Sequence, residues 1–448
     1  MDDISELKGE KICREILERG LELKGIDGIE VFFQSNKTNE IKIEQNDIGV
    51  PKTNYYRGVG IRVFQNGGQG FSSTNVMGEE EIEKALNNAA SIAKKSPADP
   101  NNKLPEPGKI VGVENIYDET IEDIKLENLI ENASDFKNEF LMDSRGIIDS
   151  ASFKSSRSVR AIANSRGISA EEKSTHFQSS AIGFAREDDD ISSFDIETQA
   201  ACQYKDFKPV ESAESLREKV ISSLGARKIE GFTGKILLAP EAAAKLIVNP
   251  IISAVNAKNV ADGLSPWKNK LNEKVASEKI TLSDRSSLPG GVGSKSFDRE
   301  GVPPVDIEII ENGVLKNLLH NSYSASYFDT KSNGHARGGA QSAPGVGTTN
   351  VFLRKGDLPV SEICRSVKKG LLVNRYSGSA DHLSGSFSGA VKGGYLLSSG
   401  DKKPVREAMI SGNIYDLLDK VEAVSRDTRQ VGSFRLPYLL LKNVDITG

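Results

Sequence analysis

Ser296-Phe-Asp-Arg-Glu-Gly-Val-Pro-Pro-Val-Asp-Ile-Glu-Ile-Ile-Glu-Asn-Gly-Val-Leu-Lys-Asn-Leu-Leu-His320 is the stretch whose reading decides the fold. Val305, Ile307 and Ile309 fall on one side of an extended chain, with Asp306 and Glu308 between them. That period of two belongs to a strand with one buried face. Asn312-Gly313 supplies two residues that tolerate positive φ, as a tight hairpin requires, and Val314, Leu315, Leu318 and Leu319 run back as the return strand. The same device occurs earlier. Val59, Ile61 and Val63 alternate up to Asn66-Gly67, and the chain returns through Phe71.

Around these hairpins the chain reads as alternating helical and extended segments. Ile12, Ile16, Leu17 and Leu21 share one helical face, and Gly25 is a natural stop. Strands are expected at Gly28–Phe33 and Ile41–Glu44, and helices at Glu79–Lys95 and Leu126–Met142. Residues 147–204 alternate short apolar and polar residues with breaks at 164–167 and 187–190, the pattern of a β-meander. A helix over 213–227 closes this half, which places a boundary near Gly231. Beyond it come a strand at Lys235–Leu238 and a helix over Pro240–Val260 that Pro250 must kink or divide. Trp267–Lys279 reads as a polar, mobile loop, and Ser322–Asn350 as a long irregular one. The expectation is an α+β protein of two domains, 1–230 and 231–448. Antiparallel and mixed sheets would carry flanking helices, with the second domain mainly antiparallel.

Composition narrows the function classes. A 448-residue chain with 27% charged and 37% hydrophobic residues has the balance of a soluble globular protein. Its net charge of −5 gives no support to nucleic acid as a partner. No apolar run is long enough to span a bilayer, so no membrane contact is expected. The acidic opening Met1–Glu6 has no apolar core of a signal peptide, which points to the cytoplasm. Cys13, Cys202 and Cys364 are odd in number and far apart, neither a disulfide framework nor a zinc ribbon.

Four local clusters invite chemistry. His176, His320, His335 and His382 never fall within one helical turn of each other, so spacing shows no metal pair. Gly290-Gly-Val-Gly-Ser-Lys-Ser296 looks like a phosphate loop, but Ser294 stands before Lys295 where glycine is needed, and the residues that follow suit a strand rather than a helix. Asp381-His382 lies among serines, yet neighbours on a strand point to opposite faces and no Gly-x-Ser-x-Gly elbow exists. Asn333-Gly-His-Ala-Arg-Gly-Gly339 is the most suggestive loop. Asn333, Gly334, His335 and Arg337 could contact a peptide carbonyl or carboxylate, or the glycines could serve only a close backbone passage.

Gly58-Val-Gly-Ile-Arg-Val-Phe-Gln-Asn-Gly-Gly-Gln-Gly-Phe-Ser-Ser-Thr-Asn75 resembles the N-terminal signature of the TldD/PmbA family, also called modulator of DNA gyrase. Phe297–Val302, Glu311–Leu315, Ser332–Ala336, Leu383–Ser388 and Pro437–Gly448 extend the resemblance across nearly the whole chain. The TldD branch resembles a zinc peptidase, with His-Glu-x-x-x-His on a helix of its C-terminal domain and a cysteine near its C-terminus. Here the matching helix, Leu238-Ala-Pro-Glu-Ala-Ala-Ala-Lys-Leu-Ile247, has no histidine, and Asp427–Phe434 has no cysteine. The chain is therefore similar to the PmbA branch, also called TldE. That resemblance implies no catalytic residues, no metal and no cofactor of its own, with zinc held by a TldD-type paralogue as heterodimer partner. It also implies small peptides or unfolded segments as substrate, while the unpaired edges that antiparallel sheets present lead to the expectation of homodimers when the chain is expressed without that paralogue. Rival readings are a self-sufficient metallopeptidase with a non-standard site, and a regulatory or binding protein of the gyrase-modulator type.

Overall fold

A computed structural model of the protein describes residues 8–448, so the expectation drawn from Met1–Glu6 lies outside the described residues. Every strand of one eight-stranded sheet falls within residues 28–201, and every strand of a second, thirteen-stranded sheet within 232–447. In the first sheet β1 (Gly28–Glu44), β2 (Lys52–Gln65), β3 (Gly68–Thr74), β4 (Gly146–Asn164), β5 (Ser169–Glu187) and β6 (Asp195–Ala201) stack in the order β3-β2-β1-β4-β5-β6. All these pairings are antiparallel. Asn66 and Gly67 take φ of 49° and 77°, so both residues of the β2–β3 turn are left-handed. The meander over 147–204 forms as β4, β5 and β6.

The two strands expected at 28–33 and 41–44 are one. Residues 34–40 are polar, but β2 and β4 pair with them from both sides and continue the ladder. One face of the sheet is covered by helices. α1 (Gly9–Leu21) and α2 (Glu79–Lys95) bury Ile16 and Leu86 against Phe33 and Val63. α3 (Leu126–Phe140) and α4 (Pro209–Ile221) bury Phe136, Phe140 and Leu216 against Phe153 and Phe177. Each such side chain contributes roughly 1.5–3 kcal/mol by leaving water. α4 starts four residues before the expected 213 because Pro209 suits a first helical turn.

The second sheet runs from the hairpin Val314–Leu315 and Ile307–Glu311 through Leu282–Asp284, Val351–Leu353, Phe434–Thr447, β7 (Phe232–Leu238), Gly370–Val373 and Gly394–Ser398 to Asp401–Val405. It is mainly antiparallel; the pairings of Val351–Leu353 with Phe434–Thr447 and of β7 with Gly370–Val373 are parallel. The opening hairpin is shorter than its sequence pattern suggests. Asn312 and Gly313 adopt φ of 46° and 81° as expected, but the strand begins at Ile307 and Val305 is exposed. Pro303 and Pro304 have no N–H to give to a ladder, which stops the strand short of them. The loop 267–279, expected to be mobile, is packed: Trp267 is buried edge-on against Tyr415, 5.8 Å between ring centres, and Ala276 is buried. The segment 322–350 holds a helix, Ser322–Tyr327, capped by Asn321, and a short pairing of Ala336–Arg337 with Gly345–Val346.

Phe297–Glu300, read as part of a strand, is a turn that plugs into the first sheet. Phe297 packs with Phe32, Ile162 and Ile168. Arg299 pairs with Glu30 at 3.0 Å and lies over the Phe32 ring, while Arg62 pairs with Glu30 at 2.6 Å and Glu300 at 2.8 Å. These four charged side chains are buried, so their mutual pairing offsets the cost of removing them from water. The two halves are thereby fastened to each other.

Candidate functional site

β7 passes straight into the helix expected at Pro240. Pro240 occupies the first turn of α5 (Pro240–Ala243), where its missing N–H costs nothing. A π turn, Ala244–Val248, follows, and the helix resumes over Asn249–Val255. Pro250 would strike the carbonyl of Leu246 in a regular helix, and the wider turn relieves that clash. The division comes later, at Asn256, whose side chain caps the next short helix.

Glu241, in the first turn of α5, faces a cavity of about 770 Å³ between the two halves. Four charged groups converge beside it, one of each sign from each half. Lys219 of α4 contacts Glu197 of β6 at 2.5 Å and Glu241 at 3.6 Å. Arg429, from the strand Val421–Val431, contacts the same two carboxylates, Glu241 at 3.7 Å and Glu197 more closely. The result is a closed ring of two cations and two anions. Burial opposes the Lys219 charge, but Glu241 and Glu197 outweigh it and hold the ammonium above its ordinary range. Arg429 is held up by the same carboxylates against the same burial. Burial also raises the Tyr438 phenol and the Asp195 carboxyl, both of which line the cavity.

Zinc does not fit this arrangement. Of a His-Glu-x-x-x-His spacing, Pro240–Lys245 keeps only the glutamate. Structural and catalytic zinc takes three or four converging His, Cys or carboxylate ligands, and no three such side chains come together among the described residues. Glu241 instead meets two side-chain cations, which would repel a third.

The loop singled out in the sequence lies elsewhere. His335 is fully buried, with Nδ1 2.9 Å from the Asn333 carbonyl oxygen and Nε2 facing Asp284 Oδ2 at 3.4 Å. Gly334 has φ of 75° and sits so close to Pro304 that a Cβ would come within 2.3 Å of its Cα. Arg337 is half-buried and donates to the Thr348 carbonyl. Burial pushes the Arg337 guanidinium down to about 10. Asn333 spans the hairpin by donating to the Leu318 carbonyl and accepting from the His320 N–H, both at 2.8 Å. These bonds give the loop a structural job, and a peptide reaching it would meet exposed Gly338 before His335.

The other suggestive clusters dissolve into local structure. Asp381 accepts from the Leu383 N–H and Ser384 hydroxyl as an exposed turn, while the His382 carbonyl accepts from Tyr415. Gly293 donates to Asn350 within a turn that no helix follows. Glu241 and Arg429 lie in segments flagged in the sequence, but Lys219, Glu197 and Asp195 come from other elements and follow no spacing.

Family models give this arrangement a context. The PmbA/TldA metallopeptidase C-terminal domain matches residues 232–448, the family's domain 1 matches 29–93 and its central domain 117–224. The last two divide one continuous sheet, since β1–β3 fall in or beside the former and β4–β6 in the latter. A metalloprotease of Methanocaldococcus jannaschii is 29% identical over 92% of this chain and 92% of its own length. A metalloprotease PmbA homolog of Buchnera aphidicola is 23% identical over 94% of this chain and 93% of its own. Among solved structures, TldE from Thermococcus kodakarensis has a TM-score of 0.89 and 22% identity, covering 98% of this chain and 100% of the TldE chain.

Proposed function

We propose that this chain, which belongs to the PmbA/TldD family of metallopeptidases, is the zinc-free subunit of a two-chain peptidase. The observation that carries this reading is the ring at Glu241, where Lys219 and Arg429 occupy the surroundings that zinc ligands would need. Its fold likeness to TldE supports the same branch. The partner is a TldD-type paralogue bearing His-Glu-x-x-x-His, and in its absence the chain forms homodimers. An obligate contact of this kind buries on the order of 2,000 Å² or more. The substrate is a small peptide or an unfolded segment in the cytoplasm, held in a cleft to which this chain contributes a wall, with Asn333, Gly334, His335 and Arg337 supporting that wall. Among the described residues no helix is long and apolar enough to cross a membrane. The test is to purify this chain with and without its zinc-bearing paralogue and assay peptide cleavage. Chelator-sensitive cleavage appears only in the mixture; cleavage by this chain without a partner overturns the proposal. DNA binding at physiological salt without any effect on cleavage would favour the regulator reading instead.

A further inference from the structure

The glycine-rich stretch Gly290–Ser296 fails as a phosphate loop through its backbone, since the N–H groups of Gly290, Gly291, Gly293 and Ser294 all donate within the protein. Its lysine behaves differently. The Lys295 ammonium makes no hydrogen bond or ion pair among the described residues, and the side chain is half-buried, so it keeps a route to solvent. Two further basic groups share this interior space. Arg337 donates to the Thr348 carbonyl but has no carboxylate partner, and its Nε has no partner of any kind. His176, on the face of the first sheet opposite the helices, makes no side-chain hydrogen bond among the described residues. Burial holds the Lys295 ammonium well below its ordinary range, and Arg337 and Arg160 push it the same way, against Glu172 and Asp298. Burial, then Lys295 and Arg160, likewise hold the His176 imidazole down. The neighbouring carboxylates are already taken. Glu172 accepts from Arg160 Nε at 2.9 Å and from the Ser296 N–H and hydroxyl. Asp298 accepts from the backbone N–H groups of Glu300, Val302 and Ala336. Asp284 accepts from Thr349 and faces His335.

Interior cations that lack a counter-charge are unfavourable, and an anion entering from solvent relieves them. We propose that Lys295, Arg337 and His176 form a binding site for a small oxyanion, a carboxylate or a phosphate. Its oxygens would accept from the ammonium, the guanidinium and the imidazole together. The members come from both halves, His176 from β5 and Lys295 and Arg337 from the second half, so an occupied site would also resist their separation. The site requires neither zinc nor the partner subunit and is thus independent of the peptidase reading.

The experiment is titration calorimetry on the full chain at pH 7 and physiological salt, with inorganic phosphate, N-acetyl-trialanine and N-acetyl-trialanine amide as probes. At least one of the two anions binds at millimolar concentration or below, and the uncharged amide does not. Tighter binding of phosphate assigns the site to a free phosphate, and tighter binding of the acetylated peptide assigns it to a terminal carboxylate. Lys295→Met weakens the bound anion about tenfold or more, the loss expected for a charge-assisted hydrogen bond. His176→Gln weakens it in the same direction, which keeps the test decisive should Lys295→Met fail to fold. Lys402→Met, at an exposed lysine of the outer strand Asp401–Val405, leaves binding unchanged. No heat with either anion, equal binding of the amide, or equal losses at Lys295 and Lys402 overturns the inference.

Discussion

His335 lies in the interior against Asn333 and Asp284, so its replacement acts first on stability. His335→Ala leaves a cavity and takes a partner from buried Asp284; thermal or urea unfolding should show a loss of about 2–4 kcal/mol. His320 carries a pH dependence. Burial, aided by His335, holds its imidazole down to about 4, against about 6.5 in an unfolded chain. As pH falls below 6.5 the unfolded chain takes the proton first, so stability from this group is lost between pH 6.5 and 4. The loss reaches up to about 3 kcal/mol and stops below pH 4. Urea midpoints measured across that window should flatten in His320→Gln; an unchanged slope would assign the acid sensitivity to other groups.

The turn at Asn312-Gly313 shows how a short element organises its neighbours. Gly313 has φ of 81°, and a Cβ there would come within 2.2 Å of the Ala276 carbonyl oxygen. Gly313→Ala should therefore cost about 2 kcal/mol or more in denaturant unfolding, beyond the usual penalty for a left-handed alanine. A loss below 0.5 kcal/mol would mean the loop 267–279 is free to retreat (~0.5 kcal/mol is the scatter of neutral surface changes). Both hairpin turns were legible because Asn-Gly has few other uses between apolar runs. The helices Glu79–Lys95 and Leu126–Phe140 were legible from their apolar stripes. What escaped was set by tertiary pairing: the polar middle of β1 is a strand because β2 and β4 flank it. Trp267 fixes a loop whose composition reads as mobile, since one buried ring outweighs many polar neighbours.

Across the whole molecule the charged contacts between the two halves include the buried Glu30–Arg62–Arg299–Glu300 group, the ring at Glu241 and the Asp195–Arg375 pair. The ring's residues come from four elements, which is why the sequence pointed to the helix and the terminal strand but not to Lys219 or Glu197. Lys219→Met leaves two carboxylates facing Arg429 and should cost about 2 kcal/mol. Adding Glu241→Gln, across the junction at 3.6 Å, should recover part of it, a coupling of about 1 kcal/mol or more in a double-mutant cycle read by unfolding. Strict additivity would deny the ring its role in joining the halves. The central claim, that the family's metal position has become a charge-balanced ring in this chain, is tested most directly by zinc analysis of the purified chain after dialysis against trace zinc. The account predicts no stoichiometric metal, and one tightly held zinc per chain would contradict it.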